Sequence, residues 1–313
     1  MNIYFAPLEG ITGYVFRNVF NRYFGKHIDK YFTPFIMAHE KCGMSPKEVR
    51  DILPENNLGI NIVPQVMTNS SSEYLFLEEQ LREYGYEEIN LNFGCPSKTV
   101  TTRQRGAGIL NDLSLLERFL DEVMSNTKCN ISVKTRLGIC DPDEFDYILD
   151  IYNKYNFSEL IIHPRVQYEM YKGLPHYESF DYSILHSRNC LVYNGNIFDS
   201  SSKGLGYQNS QNVAGLMIGR GLIANPSLAD ELYGDVRASK ECVMDYLDDL
   251  CNEYCKVNSG ETPVLFKMKE IWNYMSGQLG PDAMYEADTK NLKKLMKTKS
   301  LSEYKILQRN IFY

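Results

Sequence analysis

The sequence predicts an α/β fold, a (β/α)8 TIM barrel followed by a C-terminal all-helical domain. Three observations lead there: eight short β-rich apolar runs, amphipathic helical stretches between most of them, and no strand signal after about residue 238. Strand and helix alternating at intervals of about 30 residues is the pattern of such a barrel. An open doubly wound sheet is the competitor, and it is disfavoured because no G-x-G-x-x-G follows the first run.

In chain order the runs are 3–6, 31–35, 60–66, 89–92, 131–134, 160–163, 190–194 and 215–218. Stretches such as 72–84 and 113–127 between them carry apolar residues at spacings of three and four, as one face of a helix requires. Beyond the last run, segments 240–257, 262–279, 282–296 and 300–311 read as helices, with turns at Ser259-Gly260 and Gly280-Pro281. The expected division is therefore a barrel over 1–237 and a helical domain over 238–313.

Composition agrees with a globular protein. The chain has 313 residues, 43% hydrophobic and 23% charged, which supplies a sizeable core and excludes collagen-like and globally disordered chains. No apolar run approaches the roughly 20 residues that span a bilayer, and residues 1–7 lack the basic and apolar regions of a signal peptide, so a cytoplasmic protein is expected. Eight cysteines (42, 95, 129, 140, 190, 242, 251 and 255) include no C-x-x-C pair, and thiols rather than disulfides are expected. Cys251 and Cys255, four apart, read as buried apolar thiols, and no metal site is expected.

A net charge of −7 argues against indiscriminate binding of a polyanion. Within 289–313, however, seven basic residues (Lys290, Lys293, Lys294, Lys297, Lys299, Lys305, Arg309) face one acid, Glu303. Any contact with nucleic acid is expected there; a solvated helix face is the plainer alternative.

Catalytic groups of such barrels stand at the C-terminal ends of the strands. Seven of the eight runs end in residues that carry chemistry: Pro7-Leu8-Glu9, Gln65, Asn92 with Cys95, Lys134 with Arg136, His163 with Arg165, Asn194, and Gly219-Arg220. The turns Asn194-Gly195-Asn196 and Gly219-Arg220-Gly221 offer bare backbone amides where barrels commonly hold a phosphate, and Arg220 adds a bidentate cation. Gln65, Lys134 and His163 add donors for the edge of a planar, electron-accepting ring, a description that flavin mononucleotide (FMN) meets. Cys95 lies between Gly94 and Pro96, which shape the turn and hold its thiol over the barrel mouth. A thiol with a reference pKa of about 8.5 is mostly protonated at neutral pH and suits a proton donor.

These blocks resemble the flavin-dependent tRNA-dihydrouridine synthases, and among them the bacterial DusC branch. The likeness runs from Ala6-Pro7-Leu8-Glu9-Gly10 to the C-terminus and is most specific at residues 90–100 (NLNFGCPSKTV) and 105–110 (RGAGIL). Further matches are residues 133–138, His163-Pro164-Arg165 with Tyr171-Lys172-Gly173, residues 193–196 and residues 217–221. The family's first block often ends in Asp where this chain has Gly13, and its Gly-Asp or Gly-Glu reads Gly195-Asn196 here.

The resemblance implies FMN as prosthetic group, NADPH as reductant, and reduction of a tRNA D-loop uridine to 5,6-dihydrouridine, with position 16 favoured. It implies that Pro7, Leu8, Glu9, Gln65, Lys134, His163, Asn194, Gly195, Asn196, Gly219 and Arg220 bind FMN. Cys95 would give a proton to C5 as reduced flavin gives a hydride to C6, and Asn92, Arg136 and Arg165 would face a uracil flipped out of the RNA stack. A monomer with a tRNA-binding helical domain is expected. The alternatives are an FMN reductase of a free pyrimidine, like dihydroorotate dehydrogenases, and a catalytically silent RNA-binding barrel.

Overall fold

The computed structural model describes residues 1–37, 43–278 and 288–311. Among them ten short strands form one all-parallel sheet. They are β1 (Asn2–Phe5), β2 (Lys30–Phe32), β3 (Ile36–Met37), β4 (Ile62–Val63), β5 (Gln65–Met67), β6 (Glu88–Phe93), β7 (Asn130–Arg136), β8 (Glu159–His163), β9 (Leu191–Asn194) and β10 (Val213–Ile218). The order is β3-β5-β6-β7-β8-β9-β10-β1-β2-β4.

The predicted run 60–66 is split into a pair of strands, and the run 31–35 begins as β2 while β3 follows just beyond its predicted end. β4 and β5 are halves of one run broken at Pro64, which has no N–H to give a ladder. Its carbonyl still accepts from Asn90 N at 2.9 Å. β4 pairs with β2 while β5 pairs with β3 and β6, so the two ends of the strand order lie on the same two chain segments, 30–37 and 62–67, and the sheet closes on itself. The predicted eight-stranded barrel is thus present. Helices Ser71–Glu83, Leu113–Asn126, Glu144–Tyr152 and Tyr177–His186 intervene between its strands, as their periodicity predicts.

The chain packs as two compact units. The first holds Met1–Pro7, Asp29–Ile197 and Ser201–Ile218, and therefore every strand. The second holds Leu8–Ile28, Phe198–Ser200 and Gly219–Tyr313. The predicted boundary at 237/238 falls inside this second unit, which also recruits segments from earlier in the chain.

Inside the barrel unit, side chains alternate. Phe93 packs edge-on to Phe119 of the helix Leu113–Asn126, and Thr135 bonds Tyr152 of the helix Glu144–Tyr152 at 2.9 Å, so these positions face outward. Their neighbours at 90, 92, 132, 134 and 136 face inward. An apolar layer of Tyr4, Ala6, Phe32, Val63, Ile161, Val192 and Met217 crosses the interior. At the strand beginnings lies a charged cluster. Lys30 Nζ stands 2.8 Å from Glu88 Oε2 and 3.2 Å from Glu159 Oε2, and the Tyr4 hydroxyl donates to Glu159 Oε1.

In the second unit, helix Tyr14–Phe24 packs on helix Lys240–Val257, with Phe24 and Tyr246 ring centroids 5.2 Å apart. Trp272 Nε1 donates to Tyr304 Oη at 2.9 Å, Tyr304 donates to Gln308 Oε1, and Gln308 Nε2 donates to Asp248 Oδ1 at 2.7 Å, tying three helices together. The predicted helix over 240–257 is found as Lys240–Val257, and 262–279 as Glu261–Met275 with a 3-10 turn Ser276–Gln278. The segment 282–296 corresponds to Thr289–Lys297, capped by Asp288, and 300–311 to Leu301–Arg309, capped by Ser300. The expected Gly280-Pro281 turn, residues 282–287 and Cys42 lie outside the described residues. None of the seven described cysteines is in a disulfide; Cys251 is buried as expected, but Cys255 is exposed, because four residues along the helix bring it past the edge of the buried face. Among the described residues no helix is long and apolar enough to cross a membrane.

The charged cluster gives a stability prediction. Burial raises the Glu159 carboxyl above its ordinary range, although Tyr4 and Lys30 pull it down. Desolvation alone would lower Lys30, but its bonds to Glu88 and Glu159 outweigh that and raise it. Lys30→Met leaves two enclosed carboxylates without a counter-cation, and the unfolding free energy at pH 8 should fall by about 3 kcal/mol. A raised folded-state carboxyl takes up its proton early as pH falls, which relieves the repulsion, so the deficit should shrink toward pH 5. Urea melts at both pH values check this; a deficit that is constant or larger at pH 5 counts against the pairing.

Candidate active site

Cys95 sits in the loop after β6, held by its backbone from three directions. From the strand, Asn92 Oδ1 accepts from Gly94 N at 3.0 Å and from Cys95 N at 2.9 Å. From β7, Arg136 Nε donates to the Gly94 carbonyl at 2.8 Å. From the following loop, Ala107 N donates to the Cys95 carbonyl at 3.0 Å. Gly106 makes this last approach possible: its φ is +56°, and a Cβ there would stand 2.8 Å from Cys95 O. The sequence block 105–110 thus braces the thiol loop, and Arg105 anchors the brace by donating from Nη2 to Glu73 at 3.0 and 2.9 Å.

Below the loop runs a row of buried amides. Asn92 Nδ2 donates to Gln65 Oε1 at 2.7 Å, Gln65 Nε2 to Asn90 Oδ1 at 2.8 Å, and Asn90 Nδ2 to Ser132 Oγ at 2.9 Å. Gln65, Asn90 and Ser132 are wholly inaccessible to solvent.

Cations line the next positions. Asn92 and Lys134 are register partners across β6 and β7, and Arg136 and His163 across β7 and β8. Among the described residues Lys134 Nζ has no hydrogen-bond or ion-pair partner. Desolvation, reinforced by the Arg136 charge and opposed by the Cys95 thiol, lowers its pKa to about 7. Burial likewise lowers Arg136 to about 10, with Tyr171 opposing and Arg165 adding to the fall. The Arg136 guanidinium stands 5.4 Å from the Tyr171 ring centroid.

Arg136 and Arg165 were expected to face a substrate. In the structure both are at most 1% exposed. Besides its bond to Gly94, Arg136 donates from Nη1 to Val166 O at 3.1 Å. Arg165 donates from Nε to Lys172 O at 3.2 Å and from Nη2 to Gly173 O at 2.7 Å. Its Nη1 lies 2.8 Å from His163 Nε2. A guanidinium only donates, so Nε2 accepts, the His163 proton sits on Nδ1, and the ring is neutral.

After β9, Asn194 Nδ2 donates to Met217 O at 2.7 Å. Gly195 packs closely: a Cβ would meet the Tyr193 hydroxyl at 3.2 Å, Pro175 at 3.3 Å and His163 Cδ2 at 3.5 Å. Asn196 follows with a φ of +41°. Pro7 closes the chain segment whose Ala6 N donates to Ile218 O at 2.8 Å. The remaining predicted residues, Leu8, Glu9, Gly219 and Arg220, belong to the second unit. There Leu8 N donates to Thr12 Oγ1 at 2.8 Å, and Arg220, the first residue of a five-residue helix after Gly219, lies 5.5 Å from the Phe198 ring centroid.

The predicted barrel residues Gln65, Asn92, Cys95, Lys134, Arg136, His163 and Arg165 therefore form one connected set. Sequence reasoning missed Asn90 and Ser132 as members. Their signal was available, since each stands two residues before a predicted site residue and so on the same inward face. One possible metal-ligating group occurs among the described residues, His27, Asp230 and Asp235 of the second unit, with donor atoms within 4.8 Å of one another. Lys26 Nζ and His27 Nε2 already contact one Asp235 oxygen at 2.6 and 2.8 Å.

A family model described as "Dihydrouridine synthase (Dus)" matches residues 4–311. The chain is 29% identical over 312 residues to "Probable tRNA-dihydrouridine synthase 2" of Bacillus subtilis (strain 168), covering 96% of this chain and 91% of that protein. It is 29% identical over 316 residues to "Probable tRNA-dihydrouridine synthase" of Staphylococcus aureus (strain Mu50 / ATCC 700699), covering 96% and 90%. Among solved structures it is similar to the old yellow enzyme from Trypanosoma cruzi, with TM-score 0.53, 10% identity, and 83% of this chain and 95% of that chain covered. Morphinone reductase gives TM-score 0.53 and 10% identity over 76% and 87%. At such identities the structural likeness concerns the barrel fold, whereas the match of the family model spans nearly the whole sequence. The chain belongs to the dihydrouridine synthase (Dus) family.

Proposed function

We propose that the protein reduces the C5=C6 bond of a tRNA D-loop uridine to 5,6-dihydrouridine, with FMN as prosthetic group and Cys95 as proton donor. The observation that carries this reading is the Cys95 loop, fixed by three backbone ties, in the electrostatic neighbourhood of a lysine that has no hydrogen-bond or ion-pair partner among the described residues.

The donor set suits a flavin. Lys134 offers a cation without a hydrogen-bonded anion, neutral His163 carries its proton on Nδ1, and Gly195 stands beside His163 where a side chain would press on Tyr193 and Pro175. Gln65, Lys134, His163, Asn194, Gly195 and Asn196 would hold the group from the barrel. When bound, reduced flavin supplies the hydride that uracil C6 receives.

The chain's own residues do the rest. Conjugation of C5=C6 with the C4 carbonyl puts negative charge on the uracil oxygens as C6 is reduced, and C5 then requires a proton. Cys95 Sγ–H supplies it. Asn92 and Arg136 set the backbone that aims this thiol, and Arg165 orders the loop carrying Lys172 and Gly173, so both arginines act as positioning residues. Their nearby charge favours the developing enolate without direct contact. NADPH as reductant, position 16 and a monomeric state rest on the sequence resemblance.

For the RNA, the helix Thr289–Lys297 offers Lys290, Lys293, Lys294 and Lys297, all exposed and none in an ion pair among the described residues. The domain over 238–313 would use this face for phosphates.

Three outcomes test the proposal. Cys95→Ala should slow dihydrouridine formation in tRNA by roughly 10²- to 10⁴-fold without weakening tRNA binding, measured by nucleoside chromatography. Turnover of free uracil or orotate in preference to tRNA would overturn the assignment. Because hydrogen-bond acceptor atoms at the edge of a bound flavin ring would favour the ammonium, FMN affinity of the stripped protein should fall as pH rises above about 7, where free Lys134 loses its proton. Lys134→Met should abolish that dependence, as fluorescence quenching titrations would show. Lys293→Gln with Lys294→Gln should weaken tRNA binding and reduce the slope of log K against log salt by about 1 to 2; an unchanged slope removes this helix from the interface.

A further inference from the structure

We infer that Asn90 and Ser132, buried beneath the loop, are positioning residues for Cys95, acting through a one-way relay of amides. The inference rests on the proton-donor role proposed above for the thiol.

The direction follows from chemistry. Backbone N–H groups only donate, so the amides of Gly94 and Cys95 require Asn92 to present its oxygen. Asn92 must then turn its nitrogen to Gln65, which must answer with Oε1. Gln65 therefore turns Nε2 to Asn90, which answers with Oδ1 and turns its own Nδ2 to Ser132. The Ser132 hydroxyl oxygen is the acceptor on which the row ends. Each amide thus has a single orientation compatible with its neighbours, and all four side chains are buried.

Removing the terminal acceptor acts on the loop. In Ser132→Ala the Asn90 Nδ2 group faces a methyl group in a solvent-free interior. That group finds an acceptor, Gln65 Oε1, only if Asn90, Gln65 and Asn92 all reverse. Reversal sets Asn92 Nδ2 against the Gly94 and Cys95 N–H groups, and the loop releases. Ser132 and Asn90 therefore influence the thiol without touching it, and Gln65, a proposed flavin residue, shares its orientation with both.

Asn90→Asp separates this from simple packing. A carboxylate accepts from Gln65 Nε2 and also from Ser132, whose hydroxyl can rotate to donate. The upper two amides and the loop then keep their orientation. Site-specific alkylation of Cys95 by iodoacetamide in the full-length purified protein, followed on the Cys95 peptide by mass spectrometry, reads the loop directly. Ser132→Ala should raise this rate about tenfold, whereas Asn90→Asp should stay within about threefold of wild type. In tRNA reduction Ser132→Ala should lower kcat with KM for tRNA unchanged. In the wild-type protein, the Gly94 and Cys95 amides should exchange as slowly as the ladder amides of β6. Unchanged alkylation in Ser132→Ala, equal acceleration in both variants, or loop-like exchange of the two amides would overturn the relay. Alkylation and exchange require no uridine reduction, so a wild-type protein that makes no dihydrouridine would refute the proposed function and leave the relay to be judged by these readouts.

Discussion

A closed parallel barrel turns every second side chain of each strand into an interior with almost no water, and the placement of polar residues in this protein follows from that constraint. Any polar group on the inward face must find its partner on a neighbouring strand. At the strand beginnings Lys30 finds Glu88 and Glu159; further along, among apolar inward side chains such as Phe32, Val63, Ile161 and Val192, the residues Asn90, Gln65, Asn92 and Ser132 satisfy one another. Only at the last level do the backbone amides of a loop enter the accounting. The loop of Cys95 is therefore an extension of the barrel's interior bonding, which a surface loop ordinarily is not.

The same desolvation has opposite results for two interior lysines. Lys30 sits between two carboxylates, and its bonds to them more than offset the loss of water. Lys134 has a second cation, Arg136, as its neighbour, and its pKa falls from 10.5 to about 7. An enclosed amine without an anion does not stabilise a fold. A guest presenting acceptor atoms or negative charge would complete such a pairing, the pattern expected where binding rather than folding has placed the charge.

Much of the architecture was legible because periodicity survives without knowledge of contacts. The eight runs, the helices between them and the start and end of Lys240–Val257 follow from spacing alone. The convergence of Gln65, Asn92, Lys134 and His163 was legible too, since parity along a strand decides which face a residue takes. What sequence could not supply was the use each donor is put to. Arg136 and Arg165 look like substrate ligands in the chain, yet their N–H groups serve the carbonyls of Gly94, Val166, Lys172 and Gly173, choices that depend on loop paths far apart in sequence. Asn90 and Ser132 were passed over for the complementary reason: in a β-rich run a short polar residue looks incidental until its partner across the ladder is known. The helical packing of Leu8–Ile28 with the C-terminal segment was equally hidden, because contiguity in sequence does not reveal that the chain returns to it.

The count of basic residues near the C-terminus is similarly refined by structure. Of the seven, Lys305 donates to Asn252 at 2.9 Å and Arg309 lies 3.4 Å from Asp248, so part of their capacity serves the helical unit. Lys290, Lys293, Lys294, Lys297 and Lys299 remain exposed, with no ion pair among the described residues. Four of them share one helix nine residues long. Charges further away than the screening length of about 8 Å at physiological salt contribute little to what a phosphate experiences on that face. The overall charge of −7 therefore does not oppose a local contact of this helix with a polyanion, and it disfavours such contact over the remaining surface. An acidic protein carrying a basic helix whose lysines have no ion pair among the described residues can attract a polyanion locally, whereas a uniformly basic one would attract the same polymer everywhere.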